Sequence, residues 1–217
     1  MKKLVLHSDQ VSGKTQVDEA SMNLFTSKNP KIAYIPSQSD DQEKTWFKKK
    51  AEWYKQFGIT DLFYFDVDKK YDEEKINELL SCDGIFLSGG NTYYFLNSLK
   101  KRNFLQLLQD YVEKGGVLIG VSAGSIIMSK TINITTLHDE NTIGLKNYSA
   151  LGLVNFDFFP HLDHDKEKYL KEIVEYSKTS KSVIYACKDG DGIIVEGNNM
   201  QFFGEVLKIE NGEITTA

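Results

Sequence analysis

Arginine is almost missing from this 217-residue chain: of its 26 basic residues only Arg102 is one, and the rest are lysine. A guanidinium fork is the usual grip on a carboxylate or phosphate, so such a grip here falls to Arg102, to lysine or to the backbone. Cysteine is scarce too. Cys82 and Cys187 lie far apart in the chain, which is no disulfide framework and reads as two free thiols in a reducing compartment. No run approaches ~18 consecutive apolar residues, and the short apolar stretch at Leu4-Val5-Leu6 has no cleavage-like tail. Neither a membrane helix nor a signal peptide is expected, and the expected location is cytoplasmic. Positive charge is not in excess. With 31 acidic residues the net charge is −5, which argues against a nucleic-acid-binding surface.

What remains is an ordinary globular composition, 41% hydrophobic and 26% charged. A chain this long buries a core without covalent staples. No internal repeat, low-complexity linker or composition break divides it, so one domain over residues 1–217 is expected.

Strand and helix signals alternate. Residues 4–6, 31–36, 62–65, 84–88 and 117–121 are apolar runs of strand length. Between them, residues 14–27 (weakly), 41–57, 72–80, 92–99 and 103–114 read as helices. In the second of these Trp46, Phe47, Ala51, Tyr54 and Phe57 recur at helical spacing and Gly58 is a stop; Asp72 is an N-cap for the third; Gly115-Gly116 ends the last. Five strands joined by helix-length connections predict an α/β fold, a doubly wound and mostly parallel sheet with helices on both faces. Beyond residue 130 the pattern changes. Residues 131–134 and 156–159 read as short strands, 165–177 as an amphipathic helix, and 183–186, 193–195 and 202–209 as closing strands with antiparallel members. Asn211-Gly212 is a hairpin turn signal.

The chemistry gathers where the fifth strand ends. Gly120-Val121-Ser122-Ala123-Gly124 is a G-x-S-x-G sequence with a strand before it and helix-forming residues after it, the context of a nucleophile elbow. Ser122 is then lifted to the carboxyl end of the sheet, where open α/β sheets place ligands, with a helix N-terminus behind it. A second glycine-rich strand end, Ser88-Gly89-Gly90-Asn91-Thr92, lets backbone approach a ligand closely. The N–H groups of Gly90 and Ala123 are the natural pair for an oxyanion hole; the plainer reading of Gly89-Gly90 is a helix-entry turn with Asn91 as its N-cap. A serine nucleophile needs a base. Of His7, His138, His161 and His164, His161 follows the strand-like Phe158-Phe159 and the break at Pro160, which suits a base, whereas His164 reads as solvated. An acid must orient that base, and Asp189, Asp191 and Asp139 are all candidates.

Gly89-Gly90-Asn91-Thr92, Gly120-Val121-Ser122-Ala123-Gly124 and Pro160-His161, in this order and spacing, resemble the aspartyl dipeptidase (peptidase E) family of serine peptidases. Cyanophycinases are similar relatives, and the fold resembles that of class I glutamine amidotransferases, a three-layer sandwich. The resemblance implies Ser122 as nucleophile, His161 as base, Gly90 and Ala123 as oxyanion donors, and Asn91 and Thr92 beside the substrate. It also implies a short peptide substrate, with no cofactor and no metal. Family members carry a Glu where this chain has Asp189, one methylene shorter. A second acid of the family matches Asp139 only loosely. The family grips an N-terminal Asp side chain with an Arg after the base; here that stretch has none, and Lys166 falls nearest its place. A monomer or homodimer is expected, with no nucleic-acid or membrane partner.

Other classes remain open. The same Ser-His pair serves an esterase or amidase. A degraded site would leave a binding module. Two His and two Asp in His161-Leu162-Asp163-His164-Asp165 have metal-ligand chemistry but not the spacing of helical zinc motifs.

Overall fold

Five of the apolar runs become parallel neighbours. In the computed structural model, which describes residues 1–217, they are β1 (Lys3–His7), β2 (Ile32–Ile35), β3 (Leu62–Tyr64), β4 (Gly84–Leu87) and β5 (Val117–Val121). They pair in parallel in the order β3-β2-β4-β5-β1. Such strands are covered on both faces, and residues of opposite parity feed two cores. Leu4 and Leu6 point to one side, against α4 (Thr92–Lys101), α5 (Phe104–Glu113) and the turn of helix α6 (Ala123–Ile126). Val5, Ile119 and Val121 point to the other, against α1 (Gln16–Met22) and α2 (Thr45–Lys55). Each fully buried Leu, Ile or Phe in these layers contributes about 1.5–3 kcal/mol by leaving water.

The sheet continues past β1 with two antiparallel strands, β8 (Gly192–Glu196) and β9 (Asn199–Phe203). The mixed α/β architecture with helices on both faces is the one the alternating pattern predicts. A second sheet was not legible there. It has the order β11-β10-β7-β6, built from β6 (Phe156–Phe159), β7 (Val183–Ala186), β10 (Leu207–Glu210) and β11 (Glu213–Thr216). The long helix α7 (Lys166–Ser180) connects β6 to β7, and Asp165 caps it by accepting from the Lys168 N–H.

Two expected strands differ. Residues 131–134 do not form one. Ile132 and Ile134 are buried and alternate with more exposed polar neighbours, which mimics a strand, but residues 133–137 close into a 3-10 turn and only Thr131 makes a bridge, to Ser149. The run 202–209 is split: Gly204 adopts φ 88°, where a Cβ would run into the Asp191 carboxylate, and the chain leaves one sheet for the other. Asp72 caps a 3-10 turn (Glu73–Lys75) that leads into the short α3 (Ile76–Leu80).

Candidate active site

Ser122 stands between β5 and α6 with φ 51° and ψ −112°, a strained backbone for a residue with a side chain. The surroundings hold it there. Its N–H donates to the His7 carbonyl at the end of β1 (3.0 Å), and the Ser125 hydroxyl donates to the same oxygen (2.8 Å). The two glycines of the elbow are required by close approach. A Cβ on Gly120 would lie 2.5 Å from the Gly124 carbonyl carbon, and one on Gly124 would collide with the Leu87 carbonyl of β4. Because α6 is a single turn, the group facing the serine is a small set of backbone N–H donors rather than a long helix dipole.

His161 lies just past the end of β6, also at positive φ (58°). Its Nε2 is 2.8 Å from Ser122 Oγ and its Nδ1 is 2.7 Å from Asp189 Oδ1. With the proton on Nδ1, His161 donates to Asp189 and accepts from the serine hydroxyl. Three residues distant in sequence thus form one hydrogen-bonded line. Asp189 occupies the turn after β7, and its N–H is held by Asp163 Oδ1 (3.0 Å). Burial alone would raise the Asp189 pKa. Hydrogen bonds from His161 and His164, the charge of His161 and a bond from Ser8 outweigh it and hold the carboxyl below the ordinary aspartate range.

Two of these partners escaped the sequence. Ser8, fully buried after β1, accepts from the His161 N–H (2.7 Å) and donates to Asp189 Oδ1 (3.0 Å). His164, read as solvated, reaches Asp189 Oδ2 with its Nε2 (2.8 Å) and stacks on His161 with ring centroids 4.7 Å apart. A turn closed by the His164 N–H to the His161 carbonyl (3.0 Å) brings the rings together. Nothing in the local pattern singled out Ser8; the repeated His in His161-Leu162-Asp163-His164 was the one signal for the second. His138, tilted against Phe159 at 5.2 Å, lies close enough for the His161 charge to act on it; burial first, and then that charge, lower its pKa, against the pull of Asp139.

The other candidates fall elsewhere. Asp139 accepts from the Thr92 N–H (2.7 Å) and the Thr135 hydroxyl (3.2 Å), so it anchors the start of α4 and does not touch His161. Asp191 accepts from the Glu205 N–H (3.2 Å), again away from the imidazole. The His7 side chain is buried on the far face of the sheet, 3.7 Å from Asp18, and burial with the nearby Lys50 charge pushes its pKa down to about 3. Of the candidate metal ligands in 161–165, Asp163 and Asp165 are spent on backbone N–H groups, so that set of four does not converge.

Gly90 has φ 133°, and a side chain there would strike the Ser37 hydroxyl. Gly89 approaches so closely that its added Cβ would lie 3.4 Å from Ser122 Cβ, which brings the two glycine-rich strand ends side by side. Neither the Gly90 nor the Ala123 N–H donates to an acceptor of the chain. Asn91 does cap α4, accepting from the Tyr94 N–H (3.0 Å), while its amide donates to the Glu140 carbonyl (2.9 Å). Thr92 is buried with its hydroxyl unpartnered. Lys166 is exposed in the first turn of α7, where its charge acts on Glu205, and it makes no hydrogen bond or ion pair with the Ser-His-Asp line. A cavity of about 570 Å³ opens at the opposite, amino-terminal end of the strands among Lys3, Cys82, Asp83, Tyr111 and Val117, and contains none of these residues. No helix is long and apolar enough to cross a membrane.

The model of peptidase family S51 matches residues 4–203. The uncharacterized peptidase Lmo0363 of Listeria monocytogenes is 27% identical over 78% of this chain and 83% of its own length. Peptidase E of Shewanella denitrificans is 27% identical over 69% of this chain and 66% of its own. A crystal structure of a peptidase from an acI-B1 actinobacterium is similar in fold, with a TM-score of 0.72 at 17% identity, covering 100% of this chain and 97% of that one.

Proposed function

The chain belongs to peptidase family S51 and is thus a peptidase, and from that premise we propose that it is a serine peptidase acting on short peptides through Ser122, His161 and Asp189. The observation that carries the proposal is the unbroken hydrogen-bonded line from Ser122 Oγ through the imidazole to Asp189.

The steps follow from that line. Ser122 Oγ attacks the scissile carbonyl carbon as its proton passes to His161 Nε2. Asp189 holds the imidazole with Nε2 toward the serine and stabilises the imidazolium that forms. The oxygen of the tetrahedral intermediate is held by the free N–H groups of Gly90 and Ala123, each typically worth ~3 kcal/mol in the transition state. His161 then gives its proton to the leaving amine, the C–N bond breaks, and an acyl-serine ester remains. A water, deprotonated by the same imidazole, hydrolyses the ester and returns the proton to Ser122.

The finer proposal is that Asp-X dipeptides are substrates, with Lys166 as the cation for the Asp side chain. Lysine offers a point charge rather than a fork, so this grip is weaker than an arginine's. The test is a dipeptide panel (Asp-X, Glu-X, Asn-X and neutral X-Leu) on wild type and Ser122→Ala, with covalent labelling by a fluorophosphonate in parallel. Labelling and turnover that vanish together in Ser122→Ala are expected, with Asp-X preferred. Equal cleavage of Asp-Leu and Ala-Leu would sink the Asp-X assignment, and turnover surviving in Ser122→Ala would sink the nucleophile.

A further inference from the structure

The Ser-His-Asp line has a second imidazole on its acid, and the mechanism does not use it. His161 Nδ1, His164 Nε2 and the Asp189 carboxylate offer three ligand atoms all within 4.8 Å of one another. Both N···O contacts, 2.7 and 2.8 Å, meet the same carboxylate, one on each oxygen. Two nitrogen ligands and one carboxylate are a donor set that suits zinc and its borderline-soft neighbours, and not calcium or magnesium, which take oxygen. Two ligands on a tetrahedral zinc stand roughly 3.4 Å apart, given metal–ligand distances near 2.1 Å. The two N···O contacts would open by about 0.6–0.7 Å to reach that spacing, and the two imidazole nitrogens, within 4.8 Å of each other, would draw in around the same ion. His164 is 56% exposed, so an ion reaches the group directly from solvent.

We propose that this trio is an inhibitory site for a divalent zinc-like ion, a switch on the active site; it rests on the reading of Ser122, His161 and Asp189 as the catalytic line. The switch follows from where one proton sits. In the working arrangement the His161 proton is on Nδ1 and the Nε2 lone pair faces Ser122. A metal ion on Nδ1 requires the lone pair to be on Nδ1, so the His161 proton moves to Nε2; likewise the His164 proton moves from Nε2 to Nδ1, freeing Nε2 for the ion. Each imidazole stays neutral and no electron is transferred. His161 Nε2–H now faces the serine oxygen and cannot accept its proton. The carboxylate at the same time turns from orienting the imidazole to holding the ion. Both changes stop proton transfer without blocking the mouth of the site. Occupancy leaves the fold intact, so removing the ion restores the enzyme.

The test uses zinc chloride, with calcium and magnesium as controls. The labelling rate of Ser122 by a fluorophosphonate is measured in wild type and in His164→Asn, an exposed substitution that removes the imidazole ligand, with each protein's zinc response read against its own metal-free rate. Zinc binding is measured separately by equilibrium dialysis in Ser122→Ala, which retains all three ligands, and in Ser122→Ala/His164→Asn. Zinc is expected to slow wild-type labelling at least tenfold, EDTA to restore it, and calcium and magnesium to leave it unchanged. His164→Asn is expected to raise the zinc needed for half-inhibition at least tenfold, and the double variant to lose the ion that Ser122→Ala binds. Zinc inhibition that is equally strong in His164→Asn would overturn the site, as would no zinc bound to Ser122→Ala. Absence of labelling in metal-free wild type would instead remove the serine nucleophile, and the dialysis arm would still decide whether the trio binds metal.

Discussion

Ser8→Ala is the sharpest probe of how the site is held. One hydroxyl does two jobs: it accepts from the His161 N–H at 2.7 Å and donates to Asp189 Oδ1 at 3.0 Å, with the Cys187 carbonyl a longer alternative acceptor at 3.3 Å. A hydroxyl has one proton, so only one of the two acceptors is served at a time, and the shorter bond goes to the carboxylate. Alanine leaves the His161 N–H without a partner, which costs about 1–3 kcal/mol in a buried site, and removes a charge-assisted bond worth about 1.5–3 kcal/mol. Water relieves part of this, because His161 and Asp189 are half-buried rather than sealed. The net expectation is a loss of about 2–3 kcal/mol, or a fall in Tm of roughly 5–10 °C for a domain of this size. If about 1.4 kcal/mol of that is felt in the posture of the imidazole, labelling of Ser122 slows about tenfold. The matched control is Ser129→Ala: Ser129 is as buried as Ser8, but its hydroxyl has no partner, so its removal is expected to leave the labelling rate unchanged. Differential scanning fluorimetry and fluorophosphonate kinetics on both variants decide the matter. Equal small effects of the two substitutions would refute the view that Ser8 ties the base to its acid.

Two further outcomes concern titration. Asp189→Asn presents an amide to His161 Nδ1 and favours the wrong tautomer, so turnover is expected to fall by about 10⁴. Because the Asp189 pKa is lowered in the folded protein, its contribution to stability is present above the ordinary aspartate value and is lost as pH falls through the lower, folded value. Acid unfolding curves of wild type and Asp189→Asn are therefore expected to run parallel down to about pH 4 and to converge below it, and curves that stay parallel below that region would count against the assignment. Asp157 behaves in the opposite sense. Burial in β6 pushes its pKa up to about 6 despite hydrogen bonds from Tyr176 and Ser182. Its ionisation thus penalises the fold, with the cost growing from about pH 4 and complete above about pH 6. Asp157→Asn is expected to be more stable than wild type at pH 7 by up to about 3 kcal/mol and indistinguishable at pH 3. Urea midpoints at the two pH values test this, and an Asn variant weaker at pH 7 would contradict it.

Much of this protein was settled by local pattern. Apolar runs of four or five residues separated by helical segments can bury both strand faces only in a parallel sheet with helices on either side, so β1 to β5 and their coverage were readable without coordinates. The elbow was readable for a related reason: only glycine fits at 120 and 124, where backbone meets backbone, and that requirement marks the positions flanking Ser122. Tertiary structure alone decided which strands left the main sheet. The apolar pattern of residues 156–159, 183–186 and 207–210 serves either sheet equally well, and the partner is chosen by where α7 and Gly204 turn the chain. Among the acids local pattern was silent: the family resemblance pointed to Asp189, and the fold is what brings that carboxylate, rather than Asp139 or Asp191, to His161. Asp139, Asp189 and Asp191 differ in no local property that periodicity can detect, yet one meets an imidazole and the others meet backbone N–H groups. Ser8 joins the site from the start of the chain, because hydrogen bonds form between groups that folding brings within 3 Å, and its separation of 153 residues from His161 carries no signal of that; His164, 25 residues before Asp189, meets the carboxylate only because β6 and β7 are paired.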